Sequence, residues 1–521
     1  MIFLIKAIFV TLLLISGLFS ALRHIQMYQQ NSYFIHRYCL WGKGAIGFKT
    51  YLSLAFAALL TALFFINDIA FLIAATLVSA VKILKSFYDR KTSIKKLVFT
   101  KRIKRLITAY AIIIAAVITL MFIFMGKEVL LYLGIFSIVI SMMPPVIFIP
   151  VAALMSLIEK AIAKRYEKDA KRILNSMSSL KVIGVTGSFG KTSVKFILKQ
   201  MLQEKYNVCA TPECFNTPLG LIRTVRENLL PSDEIFIAEM GAKNIGDIKR
   251  LCELVNPDMG IITAVGPQHL ESFKTLENVV NTKFELDDYC HNTYVNTDSP
   301  AAAERAKISG CHTYGTRGVE ETYAENIIYG DFGVSFDIVR QDTKFTVVSK
   351  LLGKHNIANI VGAAAVALEL GVTPSQIKFA VDRLTAPAHR LEKKAFINGA
   401  ILIDDSYNSN PVGSAFACDV IKGFENKKRI IVTPGLVELG DKEYQYNKDL
   451  GKKAAESCDI LILVGEKRSV PLFEGVKESD VQPTDTLVVK SFADAMEKLR
   501  LVCDNNTVVL FLNDLPDNYA K

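Results

Sequence analysis

Val182-Ile183-Gly184-Val185-Thr186-Gly187-Ser188-Phe189-Gly190-Lys191-Thr192-Ser193 constrains this chain more than any other stretch. Apolar, mostly β-branched residues lead in and predict a buried strand. A glycine-bearing turn follows, and apolar residues at helical spacing from Val194 to Tyr206 predict a helix. Strand, glycine turn and helix in that order form the setting of a phosphate-binding loop. The glycines let backbone N–H groups turn toward phosphate oxygens, and the helix N-terminus adds positive potential. Lys191 is placed to reach the terminal phosphates, and Thr192 or Ser193 to hold Mg²⁺. Val185 stands where a strict Walker A motif has its first glycine. The competing reading, a plain Gly/Ser turn before a helix, does not account for Gly-Lys-Thr-Ser opening that helix.

The chain has 521 residues, enough for about three domains, and 51% of them are hydrophobic. The apolar excess and the net charge of +10 both sit in the first third. Apolar spans are expected at Ile2–Leu22, Tyr51–Ile66, Ile69–Leu84, Leu106–Met125 and Val129–Leu157, with Pro144, Pro145 and Pro150 kinking the last. Basic stretches at 23–50, 85–105 and 160–172 all fall on one side of these spans. The positive-inside rule then puts the N-terminus outside and the C-terminal body in the cytoplasm, as a multi-pass protein of the cytoplasmic membrane. The first span also resembles a signal peptide, but cleavage there would strand the phosphate loop where ATP is scarce. Basic flanks beside apolar spans explain the charge, which argues against a nucleic-acid partner. The nine cysteines show no CxxC and no paired spacing, a pattern of free thiols in a reducing compartment.

From Lys181 onward, short apolar strands (Val182–Val185, Ile235–Ala238, Gly260–Ala264) alternate with amphipathic helices, an α/β pattern with a largely parallel sheet. A second α/β segment begins near Leu384, with strands at Ala400–Asp404, Arg429–Thr433, Ile460–Val464 and Val508–Leu512. The expected architecture is an α-helical transmembrane domain of about five spans (1–158) and a linker helix (159–178). A P-loop-type central ATPase domain (179–384) and a Rossmann-like C-terminal domain (385–521) follow. Glu239 ends a buried strand beside the loop, where a carboxylate can hold Mg²⁺. A lone strand-end Glu is more often surface than ligand, and the same bland reading applies to the loop residue His269.

Taken in order, the motifs resemble the Mur ligase family, in its MurF-like branch. They are Thr-Gly-x-x-Gly-Lys-Thr-Ser (186–193), Glu239-Met240-Gly241-Ala242, Gly266-x-x-His269-Leu270-Glu271, Lys283-x-Glu285 and Asn296-Thr297-Asp298. Gly353-Lys354-His355-Asn356, His389-Arg390-Leu391-Glu392, the run Asp404 to Pro411, and Glu438-Leu439-Gly440 complete the set. The resemblance implies ATP and two Mg²⁺ ions. Thr186, Gly187, Ser188, Gly190, Lys191, Thr192 and Ser193 would cradle the phosphates. Thr192, Glu239 and His269 would serve metal, and Lys283 would carry a CO₂-derived carbamate toward a second Mg²⁺. Asn296 would lie near the adenine, Arg390 on phosphate and Asp405 on the ribose, with Tyr407 and Asn408 lining the nucleotide. Lys191, Lys283 and His269 form the catalytic set. His355 reads as a cap or packing residue and Asn359 as structural.

The implied activity is ATP-dependent, ADP-forming amide ligation. An amino acid or dipeptide such as D-Ala-D-Ala joins a carboxylate of a muramyl-peptide cell-wall precursor through an acyl phosphate. Membrane spans stand where the soluble family members carry a domain for the UDP of their substrate, so a lipid-linked precursor at the bilayer is the alternative acceptor. Asn447 stands where MurF proteins carry a histidine, and Phe511-Leu512-Asn513 where they approach a Lys-Gly-Ser-Arg strand end. A membrane ATPase energising transport is disfavoured because the spans hold almost no charge to mark a substrate path.

Overall fold

The computed structural model describes residues 2–513, except 32, 46–54, 58, 61, 64–65, 67, 93–95, 127–128, 214, 331–332, 408–409 and 438. It divides into two compact units, Met1–Lys164 and Arg165–Leu515.

The first unit is helical. Its described helices are Ile2–Gln30, Ile35–Ala45, Asp68–Thr92, Lys101–Phe124 and Val129–Met142, with Pro144–Asn175 beginning in it. Val10–Gln30, Lys101–Phe124 and Pro144–Asn175 are long and apolar enough to cross a membrane. The expected span Tyr51–Ile66 lies largely outside the described residues. The expected span Val129–Leu157 is interrupted at one residue, Met143: one helix ends at Met142, and the next starts at Pro144 and runs through Pro150. Pro144 and Pro145 have no N–H to continue a helix but suit its first turn, so the interruption falls just before them. The expected linker helix is the C-terminal part of that same helix, which extends unbroken to Asn175. Within this unit the Ser16 and Ser141 hydroxyls meet at 2.9 Å, and Arg105 forms a two-pronged pair with Glu159 at 2.7 and 2.8 Å.

The second unit holds two sheets. The first contains β1 (Lys181–Thr186), β2 (Val208–Ala210), β3 (Ile235–Glu239), β4 (Met259–Ile262), β5 (Asn292–Asn296) and β6 (His312–Gly315). It continues through β7 (Thr322–Gly330), β8 (Gly333–Arg340) and β9 (Thr343–Ser349). Its order is β2-β3-β1-β4-β5-β6-β7-β8-β9. The pairs from β2 to β7 are parallel, and β7-β8-β9 close the sheet as an antiparallel meander. β1, β3 and β4 are buried almost throughout, which is why they read as continuous apolar runs. β1 is central, with Val185 in register with Glu239 of β3 and Ile261 of β4. The C-terminal ends of three parallel strands therefore open on one edge, where doubly wound sheets bind ligands.

The second sheet orders β10 (Glu392–Ala395), β11 (Ile401–Asp405), β15 (Thr507–Leu512), β12 (Lys428–Thr433), β13 (Ile460–Val464) and β14 (Asp485–Val489). Only β10 pairs antiparallel. The strand positions expected from the apolar runs stand within a residue or two of these. Beside this sheet, the helices Glu443–Ala455 and Ser469–Lys477 cross with backbone against backbone. A Cβ on Gly451 would stand 2.0 Å from the Leu472 carbonyl oxygen, and one on Gly475 would stand 1.8 Å from the Lys448 carbonyl oxygen. Gly475→Ala must push these helices apart, and a destabilisation of about 1–3 kcal/mol is expected. Thermal unfolding of the variant beside wild type checks this, and an unchanged midpoint would show that the helices are not in contact there.

Candidate nucleotide and metal site

The phosphate loop leaves β1 at Thr186, whose hydroxyl donates to the Met240 carbonyl at 3.0 Å. Gly187 takes φ 146°, and a Cβ there would fall 1.9 Å from Thr263 Oγ1. Thr263 in turn donates to the Thr186 and Phe189 carbonyls, at 3.1 and 2.5 Å. Ser188 is held by the residues after β4. Its N–H donates to Ala264 O at 2.9 Å and its hydroxyl to Gly266 O at 2.9 Å. Gly190, at φ 84°, precedes the helix Lys191–Leu202 and lies against the Asn359 side chain, whose Oδ1 would be 2.8 Å from a Cβ. Both glycines are thus fixed by neighbours as well as by backbone angle. The Lys191 ammonium donates to the Gly187 and Ser188 carbonyls at 2.7 and 3.1 Å, so its charge lies over the loop. Ser193 is in the first turn of the helix.

Glu239 ends β3 with only 1% of its surface exposed. Its Oε1 accepts from the Thr192 hydroxyl at 3.2 Å and from Asn216 Nδ2 at 3.0 Å. Its Oε2 lies 3.0 Å from the Lys195 ammonium, an ion contact whose angle falls outside hydrogen-bond geometry. Asn216 is itself fixed by accepting the Gly241 N–H at 2.8 Å, and Gly241 allows that approach because a Cβ there would fall 2.8 Å from the Asn216 amide. Thr192 Oγ1 and Glu239 Oε1 are hard oxygen donors side by side at the loop, a pairing that suits Mg²⁺.

Lys283 lies near the end of the helix Leu276–Phe284 and is 1% exposed. Burial first, and the Lys191 ammonium second, hold its amine well below the ordinary lysine value. Glu285 of the same Lys-x-Glu motif faces away. Its carboxylate accepts the Gly246 and Lys249 N–H groups at 2.8 Å each, capping the helix Asp247–Val255. His269 is half-buried on the loop after β4 in a left-handed conformation (φ 50°), and its carbonyl accepts from Ser272 and Phe273. Asn296 is buried at the end of β5, and its Oδ1 accepts the Asp298 N–H at 2.9 Å, so the side chain closes its own turn.

The residues expected from the C-terminal domain converge around the end of β11. The Arg390 guanidinium lies 4.8 Å over the Tyr407 ring, which is 41% exposed. Asp405 Oδ1 accepts from the Leu391 N–H at 3.2 Å. Burial raises the Asp405 carboxyl to about 7, and Arg390 acts against that rise. Asn408 lies outside the described residues. This domain reaches the central one close to the loop. His355 stacks on Phe416 at 5.5 Å, and a Cβ on Gly266 would be 3.6 Å from Val412. The His355 ring is half-buried, with its value lowered to about 4 by desolvation and then by Arg390, so it packs as an uncharged ring.

Sequence reasoning missed three contributors. Asn359, read as structural, borders Gly190 of the loop and donates to Asn356 Oδ1 at 2.9 Å. Two asparagines three apart in an Ala-rich helix share one face, and that spacing was its available signal. Lys195, fully buried on the loop helix, and Asn216 both engage Glu239. Lys195 is one turn beyond Lys191, a position that ordinarily reads as a solvated lysine.

Residues 185–367 match the Mur ligase middle domain, and residues 389–512 match the Mur ligase glutamate ligase domain. A UDP-N-acetylmuramoyl-tripeptide–D-alanyl-D-alanine ligase of Bacillus subtilis is 30% identical over 287 residues, covering 54% of this chain and 62% of that protein. The Escherichia coli protein of the same name is 27% identical, covering 64% and 73%. The chain thus spans about three fifths of the length of the first curated relatives it matches. Among solved structures, MurF of Thermotoga maritima in complex with ADP aligns with a TM-score of 0.61 at 25% identity, covering 69% of this chain and 81% of that one. MurF of Acinetobacter baumannii aligns with a TM-score of 0.62 at 23% identity, covering 68% and 78%, a likeness of fold. With both domain matches lying in order along more than half of its length, the chain belongs to the Mur ligase family.

Proposed function

We propose that this protein is an ATP-dependent, ADP-forming amide ligase that extends a muramyl-peptide cell-wall precursor by an amino acid or a dipeptide such as D-Ala-D-Ala. The observation that carries the reading is the convergence of Lys191, Thr192, Glu239 and a buried Lys283 at the C-terminal edge of one parallel sheet. The relatives named for D-alanyl-D-alanine ligation support the substrate class. A carboxylate oxygen of the precursor attacks the γ-phosphorus of ATP, and the bond to ADP breaks, leaving an acyl phosphate. The incoming amine attacks the acyl carbon, phosphate departs, and the amine loses a proton as the amide forms. In the first step the loop amides and Lys191 hold the phosphates in line and balance their charge. Bound Mg²⁺ would add further neutralisation of phosphate charge. Thr192, Glu239 and His269 are its protein ligands in this reading, with Lys283 serving a second site.

Lys283 enters as a carbamate. A neutral amine attacks CO₂ and releases one proton, which converts an uncharged side chain into an anionic oxygen ligand. Its depressed amine value favours the neutral form. Arg390 on phosphate, Asp405 on the ribose and Tyr407 beside the nucleotide complete the site from the C-terminal domain, with Asn408 assigned there and Asn296 near the adenine by family resemblance.

The apolar helices of the first unit anchor the enzyme in the cytoplasmic membrane with about five spans, an outside N-terminus and the ligase domains in the cytoplasm. A second reading rests on those helices: the acceptor is a lipid-linked muramyl peptide presented at the bilayer surface.

Phosphate release by detergent-purified protein with Mg²⁺ and ATP tests the reading, with D-Ala-D-Ala and either a UDP-linked or a lipid-linked acceptor. Turnover with the UDP-linked substrate supports the first form, and turnover only with the lipid-linked one supports the second. Lys191→Ala is expected to lower kcat/KM by about 10²–10³-fold, and full retained ligation would overturn both. Lys283→Arg keeps a long basic side chain but forms no carbamate, and it restores a fixed positive charge where the lysine is held neutral. A loss of about 10–100-fold is expected, together with loss of a ¹³C carbamate signal from labelled bicarbonate. Asp405 provides a pH test. Its folded value of about 7 exceeds the unfolded one of about 3.9, so the native state holds more protons between them. Wild-type stability relative to Asp405→Asn should therefore fall as pH rises from about 4 to about 7 and level off above that, as read from denaturant midpoints.

A further inference from the structure

Lys195 takes no part in the chemistry above, yet it is fully buried with its ammonium 3.0 Å from Glu239 Oε2. The same ammonium donates to the Glu213 carbonyl. The other carboxylate oxygen, Oε1, is the one beside the Thr192 hydroxyl and Asn216. A buried lysine cation stripped of its carboxylate is left uncompensated in a low-dielectric interior, which is strongly destabilising. Oε2 therefore stays with Lys195, and only Oε1 is available to a metal ion at the loop. A carboxylate limited to one oxygen suits Mg²⁺, which takes compact octahedral coordination at about 2.0–2.1 Å. It is poorer for Ca²⁺, which is larger and readily takes both oxygens of a carboxylate.

We propose that Lys195 is a positioning residue that makes Glu239 a one-oxygen ligand and so gives the nucleotide site its preference for Mg²⁺ over Ca²⁺. This rests on the reading of Glu239 as a metal ligand in an ATP site. The position of Lys195 enforces it, because the residue lies one turn after Lys191 and three residues after Thr192, on the face of the loop helix turned toward β3. One helix thus supplies the phosphate-binding lysine, the metal-binding hydroxyl and the cation that occupies the second carboxylate oxygen.

The test is ADP binding to the full-length protein in detergent by calorimetry, with Mg²⁺ or with Ca²⁺. Wild type is expected to bind ADP more tightly with Mg²⁺. In Lys195→Met the ratio of the two affinities should fall by about tenfold, because Ca²⁺ gains the freed oxygen. A merely structural lysine would lower the unfolding temperature or both affinities together, leaving the ratio unchanged, and that result would overturn the proposal. If wild-type ADP affinity responds to neither ion, the Mg²⁺–ATP reading itself fails. Should Lys195→Met not fold, infrared difference spectra of wild type against Glu239→Gln, each with Mg²⁺ and ADP, keep the question open to refutation. A wide splitting of the Glu239 carboxylate stretches marks one-oxygen coordination, and a narrow splitting would overturn the proposal.

Discussion

Glu239 is a carboxylate placed where water does not reach, and much of the site is arranged to satisfy it. Thr192 and Asn216 point at one oxygen and Lys195 at the other, while the Glu239 N–H donates to Thr211. The partners come from two segments: Thr192 and Lys195 from the loop helix, and Thr211 and Asn216 from the stretch after β2. A buried acid left unpaired would be expensive, so these segments are held in mutual register by one side chain. The register of β1 on β3 supplies the frame, because Val185 opposite Glu239 puts the start of the loop beside the carboxylate. A slip of one residue in that pair would turn Glu239 into the opposite face of the sheet.

The second constraint is repulsive. Lys191 and Lys283 are close enough for one to depress the other, and burial acts in the same direction on Lys283. Two ammonium groups in one dry site are mutually unfavourable, and a neutral Lys283 relieves that. Lys191 meanwhile rests on the loop carbonyls, so its charge has partners before any phosphate arrives. Acidic and basic groups around the loop therefore have distinct duties, even though their sequence positions look alike.

Much of this was legible in the chain because the informative groups are local. The strand before the loop, the glycines within it and Glu239 at a strand end all declare themselves by period and position, and the two-sheet α/β plan follows from the alternation of apolar runs. What escaped depends on contacts between distant segments. Asn359 borders Gly190 only because the helix His355–Glu369 packs on the loop helix, and nothing near residue 190 points to residue 359. Lys195 has the composition of a surface residue, and only the burial of its helix face makes it a partner of Glu239. The break at Met143 was half legible: the prolines were visible, but whether a proline pair kinks a helix or ends one depends on how the flanking turns pack. Asn296 shows the opposite limit, a residue whose side chain is already engaged by its own turn.

Asn447 and Asn513 meet in one place. Asn447 accepts the Leu436 N–H at 2.8 Å and donates to the carbonyls of Leu436 and Glu443 at 3.1 and 2.9 Å. Asn513, which leaves β15 in the left-handed conformation, donates through Nδ2 to the Gly435 carbonyl at 2.6 Å. Both asparagines thus bind the backbone of the loop after β12, the loop that leads into Leu439-Gly440. Gly435 itself is at φ 83°, and a Cβ there would fall 2.5 Å from Asn447 Oδ1, so the loop and the asparagine fit as a unit. A histidine at 447 could not make this set of bonds, because an imidazole offers two ring nitrogens where the amide gives two acceptor lone pairs and two donors. The side chains at 447 and 513 therefore act together on the shape of one loop.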